Sequence, residues 1–176
     1  MRKIAFTTLA AIGAIALPAA AQAQSTTDAG PEVYIGASAG IHDLGIGLPD
    51  DDGGIYGVVA GVDIPVGETL FVGAEGNYHI GDGAIDSEYG AAARIGVRVG
   101  ESAKVFVRGG YQEVDFDIGN LLGVNPPPGF DSTDGDYLVG AGVEFGLGDS
   151  PIRFRAGIDT IAFDSTRATA GVLFAF

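Results

Sequence analysis

The chain has 176 residues, 30 of them Gly, with no Cys, no Trp and a single Met. Each interior Gly costs a helix about 1 kcal/mol relative to Ala, so a mostly helical protein is excluded, and the lack of a Gly-X-Y period excludes collagen. Hydrophobic residues at 47% exclude disorder, the absent Cys excludes disulfides and thiolate chemistry, and 23 acidic against 9 basic side chains disfavour nucleic acid as a partner.

Residues 1–23 read as a cleaved secretory signal. They carry Arg2-Lys3, an apolar run from Ile4 to Leu17 that Pro18 ends, and Ala21-Gln22-Ala23 as an A-x-A cleavage site. Residues 24–176 are expected as one mature domain with 7 basic and 23 acidic side chains, a net charge of −16, because Arg2 and Lys3 leave with the leader. No mature stretch reaches the roughly 18 apolar residues of a transmembrane helix. Period-two alternation runs instead, in eight segments near 32–41, 54–64, 70–80, 88–99, 104–114, 136–146, 151–163 and 166–176. At 10 to 13 residues they exceed the usual soluble strand of about 5 to 6 and match the about 9 to 11 of a tilted strand crossing a bilayer.

Parity separates two faces in every segment. One is apolar and free of charge, as in Tyr56, Val58, Ala60, Val62 and Ile64, or Val105, Val107, Gly109 and Tyr111. The other holds all seven mature basic residues, Arg94, Arg98, Lys104, Arg108, Arg153, Arg155 and Arg167, with Asp63, Glu75, Asn77, Glu144, Asp159 and many Gly. A soluble barrel turned the other way round would show the same alternation, so two further features set the direction. Gly on a solvated strand surface weakens the strand, whereas in a narrow lumen it makes room for Arg and Glu, which points the polar face inward. Tyr56, Tyr89 and Tyr137 open the second, fourth and sixth segments and Tyr78 and Tyr111 close the third and fifth, so in an antiparallel meander five of the six tyrosines form a belt at one rim, as at a headgroup interface. The connections alternate between short (65–69, 100–103, 147–150, on the side of both termini) and longer (42–53, 81–87, 115–135), with a tight turn near 164–165. The expected fold is therefore all-β: an eight-stranded antiparallel up-and-down transmembrane β-barrel, closed so that no unpaired edge faces lipid.

Inside it, a charge network is expected of Asp63, Glu75, Arg94, Arg98, Arg108, Glu144, Arg153, Arg155, Asp159 and Arg167. Glu75 is expected to pair with Arg94 or Arg98, and Glu144 with Arg108 or with Arg153 and Arg155. A lumen of eight strands is just wide enough for side chains, which favours a polar plug over a gate. The longer loops are acidic: Asp43, Asp50, Asp51 and Asp52; Asp82 and Asp86; Asp115, Asp117, Asp131 and Asp134. The third also holds Leu121, Leu122, Val124, Pro126-Pro127-Pro128 and Phe130, an apolar, proline-stiffened patch suited to a partner. Divalent cations bridging loop carboxylates to lipid phosphates are a hypothesis, weaker than a solvated repulsive tip.

The opening Val33-Tyr34-Ile35-Gly36-Ala37-Ser38-Ala39-Gly40, the inward Glu75 and Arg94, and the terminal Ala170-Gly171-Val172-Leu173-Phe174-Ala175-Phe176 resemble the small outer-membrane barrels that include the OmpA transmembrane domain, OmpX and the neisserial opacity proteins. The resemblance covers the whole mature chain. It implies the bacterial outer membrane, contact with its lipid and lipopolysaccharide, and a last strand, with Val172, Phe174 and Phe176, resembling the signal read by the assembly machinery. No periplasmic peptidoglycan-binding domain is expected after Phe176. The expected role is structural or in surface interaction, adhesin- or opacity-like, by a monomer with an unidentified extracellular partner and no cofactor or metal. The alternative is a narrow porin-like channel. A lipid-modifying enzyme ranks lower, because His42 and His79 lie near Ser38 and Ser87 in sequence without a His-x-Ser spacing, and adjacent His42 and Asp43 point to opposite faces.

Overall fold

The computed structural model describes residues 30–45, 52–117 and 133–176. The expected leader, Asp50, Asp51, Asp131 and the apolar stretch from Leu121 to Phe130 lie outside the described residues. Eight strands form: β1 (Glu32–Asp43), β2 (Asp52–Val66), β3 (Leu70–Gly81), β4 (Ile85–Val99), β5 (Ala103–Phe116), β6 (Thr133–Gly146), β7 (Ile152–Ile161) and β8 (Ser165–Ala175). Each pairs antiparallel with its neighbours in chain order, and β1 returns to β8 from Tyr34↔Ala175 to Asp43↔Thr166, which closes the barrel. Closure leaves no strand edge to be satisfied by water, the condition for strands to stand in hydrocarbon. No helix among the described residues is long and apolar enough to cross a membrane.

The strands run further at the loop rim than the alternation suggests. Asp52, Asp86, Asp115 and Asp134 lie in β2, β4, β5 and β6 rather than in loops, and the second connection shrinks to residues 82–84. Hairpin ladders continue there through backbone pairing alone, as in Val114↔Asp134 and Asp115↔Thr133. Beyond an apolar band no face has to be greasy, so the period-two signal fades while the hydrogen bonds persist. A bulge between Ile85 and Ser87 turns Ile85 inward and leaves Asp86 exposed. At the terminal rim, Gly67, Gly100 and Gly148 take the left-handed φ values of 71°, 64° and 54° that tight turns demand. The β7–β8 turn at the loop rim lacks Gly and puts Ala162 (φ 56°) and Phe163 (φ 65°) in that region.

The faces point as the glycines imply. Ile35, Val58, Ile95, Val107 and Ile158 are half exposed on the outside, whereas Asp63, Glu75, Glu88, Arg94, Glu144, Asp159 and Arg167 are buried within. Gly on the lumen face makes room, though as much for rings as for ions. A Cβ on Gly96 would meet Phe71 Cζ at 2.6 Å, and one on Gly73 would meet Asp63 Oδ1 at 2.6 Å. Two small apolar clusters complete the interior. Leu44, Ile55, Ala84, Ile85 and Val114 pack at the loop rim, and Tyr34, Val59 and Leu173 lower down.

Candidate functional site

Because the inward positions of all eight strands converge on one narrow axis, residues far apart in sequence meet there. One chain of ion pairs runs from the loop rim to the terminal rim. His42 Nδ1 lies 2.8 Å from Glu88 Oε2, and Arg167 Nη1 donates to Glu88 Oε1 at 2.5 Å. Arg167 also reaches Asp159 Oδ2 at 3.0 Å, which Arg108 grips through Nε (2.7 Å) and Nη2 (2.6 Å), a forked, directional pairing. Arg108 passes on to Glu75, which accepts from Arg155, from Arg94 at 3.3 Å and from the Tyr34 hydroxyl at 2.7 Å. Arg94 and Arg155 each donate to Glu144 at 2.7 Å, and Arg94 also donates to Asp63 at 2.9 Å. Lys104 joins Asp63 (2.7 Å) to Glu32 (2.5 Å), and Glu32 accepts from Arg153 at 2.7 Å.

Six carboxylates and six cations therefore compensate one another, with aromatic faces supplying further cation contacts. The Arg94 guanidinium stands 4.2 Å from the Phe106 ring centroid, 5.1 Å from Tyr34 and 5.2 Å from Phe71. Glu32, Asp63 and Glu144 bring carboxylate oxygens within 4.8 Å of one another, a spacing a metal ion could use. The Lys104 ammonium already lies 2.5, 2.7 and 4.0 Å from them, so a side-chain cation neutralises this group.

Of the ten network residues named from the sequence, nine join this chain. Arg98 does not: it points to the lumen side near the terminal rim and forms no ion pair among the described residues, since the register sets Glu75 opposite Ala92, six residues and about 20 Å along β4 from Arg98. Glu144 pairs with Arg94 and Arg155 rather than with Arg108 or Arg153, because Arg108 is committed to Asp159 and Glu75, and Arg153 stands at the terminal mouth with Glu32. Sequence reasoning missed Glu32, Tyr34, Phe71, Glu88, Lys104 and Phe106 as members. Glu32 and Glu88 were legible in principle, since they keep the parity of the inward face.

The two histidines are both drawn into the lumen; Asp43 stays on the opposite face from His42, and the acid that meets both rings is Glu88, which sequence spacing did not single out. His42 and His79 share Glu88: His79 Nδ1 lies 3.1 Å from Oε1. Each also meets a serine, His42 Nε2 to Ser165 Oγ at 3.3 Å and His79 Nε2 to Ser38 Oγ at 2.8 Å. Two cavities flank this cluster. A void of about 20 Å³ lies mid-lumen beside Ser38, Asn77, His79 and Arg155, and a recess of about 310 Å³ opens at the loop rim between His42, Leu44, Val114, Phe116, Ile161 and Ser165, with Asp134, Asp136 and Asp164 on its border.

On the outside, Tyr56, Tyr78, Tyr89, Tyr111 and Tyr137 stand toward the loop-rim ends of β2 to β6, and the sixth tyrosine, Tyr34, turns inward. Tyr78 is opposite Tyr89, and Tyr111 meets Tyr137 edge to face with centroids 6.2 Å apart. Val172, Phe174 and Phe176 face outward at the terminal rim, where the Phe174 and Phe176 rings lie 6.1 Å apart.

A family profile, the outer membrane protein beta-barrel domain, matches residues 7–174. No curated protein sequence matches the chain. Among solved structures it is similar to Ail, the attachment invasion locus protein of Yersinia pestis, with 15% identity, a TM-score of 0.57 and coverage of 84% of this chain and 99% of that one. It is also similar to the neisserial surface protein NspA, with 15% identity, a TM-score of 0.51 and coverage of 84% and 98%. A further Ail structure, in complex with the heparin analogue sucrose octasulfate, matches at 14% identity and a TM-score of 0.52, covering 83% and 97%. At such identities the likeness is one of fold.

Proposed function

The chain belongs to the outer-membrane β-barrel domain family and lies in the bacterial outer membrane, and from that premise we propose a surface-interaction barrel whose lumen is plugged by ion pairs and whose anionic loop rim meets the partner. One observation carries this reading. Every Lys and Arg of the segment 24–176 lies on the lumen face, so the connecting segments at the loop rim carry acids and no Lys or Arg, and the nearest, Arg167, is buried. Asp43, Asp52, Asp82, Asp86, Asp115, Asp117, Asp134 and Asp164 lie at that rim. The terminal rim is periplasmic and residues 1–23 are the leader that brings the chain there, with the Tyr belt at the outer headgroups and the Phe174–Phe176 end offered to the assembly machinery.

A partner for such a rim is cationic, or bound through divalent ions, and the Ail complex with a heparin analogue marks the contrast. Sulfate groups would meet carboxylates and no Lys or Arg in the loop-rim segments, and like charges facing each other cost affinity and slow encounter. Tested in lipid nanodiscs, the protein is expected to bind a polylysine surface, to ignore heparin in buffer without divalent cations, and to lose polylysine binding at high salt as surface charges are screened. Heparin binding in the absence of divalent cations would remove this reading. The plug is tested in planar bilayers, where no steady single-channel steps are expected.

A further inference from the structure

The Ser165, His42 and Glu88 side chains stand in the order of a nucleophilic relay, and we propose that they form an acyl-ester-cleaving site at the loop-side mouth. His42 presents Nδ1 to Glu88 Oε2 at 2.8 Å and Nε2 to Ser165 Oγ at 3.3 Å, so each ring nitrogen faces the partner that its role requires. Glu88 is wholly buried and fixed by Arg167 at 2.5 Å and His79 at 3.1 Å, which aims its Oε2 at His42 Nδ1; with the ring proton on Nδ1, Nε2 is the acceptor facing Ser165. Ser165 Oγ also donates to the Ile161 carbonyl at 3.1 Å, so its one proton has two acceptors within reach, that oxygen and His42 Nε2.

Access separates this set from its neighbour. Ser38 and His79 are closer, at 2.8 Å, yet they border a void of about 20 Å³, room for about one water. Ser165 and His42 line the open recess of about 310 Å³, where Leu44, Val114, Phe116 and Ile161 offer apolar surface for a short acyl chain and Asp134, Asp136 and Asp164 form a carboxylate border on the side of the leaving alcohol and entering water. In the reaction, the Ser165 hydroxyl proton passes to His42 Nε2 as Oγ bonds the acyl carbon. The bond from that carbon to the alcohol oxygen breaks and the alcohol leaves with the proton. A water then attacks acyl-Ser165 by the same proton path and releases the carboxylic acid. Arg167 and His79 act through Glu88 and are positioning residues.

The folded protein in detergent is treated with a short-chain alkyl fluorophosphonate and followed by intact mass and peptide mapping, alongside hydrolysis of p-nitrophenyl butyrate. The expected result is one adduct on Ser165, absent in Ser165→Ala, retained in Ser87→Ala and formed at least tenfold more slowly in His42→Gln, with butyrate hydrolysis lost in parallel. Heat-dependent gel mobility reports whether each variant reaches the folded barrel. Should His42→Gln fail to fold, the adduct position on the wild-type chain decides alone. No adduct, an adduct on another serine, or labelling of Ser165 at an unchanged rate in folded His42→Gln overturns the proposal. Release of fatty acid from phospholipid vesicles instead of butyrate hydrolysis, still dependent on Ser165, supports it and assigns the acyl group to membrane lipid.

Discussion

Replacing Glu75 by Gln tests whether the lumen is held together as one electrostatic unit. Glu75 is 5% exposed, and its carboxylate accepts from Tyr34 at 2.7 Å, from Arg94 at 3.3 Å and from Arg108 and Arg155 at closer range. The amide keeps the shape and removes the charge. Breaking a buried pair costs about 3 to 5 kcal/mol because the surviving partner is left uncompensated. Here Arg108 retains Asp159, Arg155 retains Glu144, and Arg94 retains Asp63 and Glu144, so the loss belongs at the lower end, about 3 kcal/mol. That is about two decades in the unfolding equilibrium, at about 1.4 kcal/mol per decade. Equilibrium urea unfolding in lipid vesicles, followed by circular dichroism and heat-dependent gel mobility, measures it, with Glu68→Gln in the exposed β2–β3 turn as the neutral control. A Glu75→Gln midpoint within about 0.5 kcal/mol of the parent would refute the reasoning, since that is what an isolated surface charge yields.

Three other perturbations probe the remaining layers. Val107→Arg, which puts a cation on the outer apolar face of β5, is expected to cost about 2 to 4 kcal/mol in vesicles if that face stands at the bilayer midplane, measured by the same unfolding assay. Gly96→Val forces a Cβ to 2.6 Å from the Phe71 ring; the ring has Arg94 and Lys104 stacked on it and cannot swing away, so a loss of about 1 to 3 kcal/mol and a shift of the near-ultraviolet aromatic signal are expected. Ala162→Gly relieves a left-handed backbone at φ 56° and should stabilise the barrel by about 1 kcal/mol, read as a higher urea midpoint.

Much of the architecture was legible because a transmembrane barrel imposes a strict chemical rule on each strand. Tyr56, Val58, Ala60, Val62 and Ile64 must all be acceptable to lipid while Gly57, Gly61 and Asp63 must fit a narrow axis, and that rule is written locally, two residues at a time. Where the rule lapses, legibility lapses with it. The loop-rim ends of β4 and β5 carry Asp86 and Asp115 because above an apolar band the ladder needs only backbone, and backbone pairing leaves no mark in the sequence. The turn at Ala162 and Phe163 was located only approximately, since it lacks the Gly that usually announces a left-handed residue.

The pairing inside the lumen is a different kind of information. Strand parity says which residues face inward, so Glu75, Arg94, Arg155 and Asp159 could be named as lumen residues from the alternation alone. Their partners depend on the stagger of all eight strands and on how far each side chain reaches across the axis. Glu75 on β3 meets Arg155 on β7, 80 residues away and across the barrel, a contact that no neighbouring-strand argument supplies. The same convergence carries His42 from β1, Glu88 from β4 and Ser165 from β8 to one point, although nothing in their spacing, 46 and 123 residues from His42, suggests it. Alternation along a strand, a local property, told inside from outside; closure of the barrel, a global one, chose which charges and which serine meet, because only closure sets the distances across the hollow.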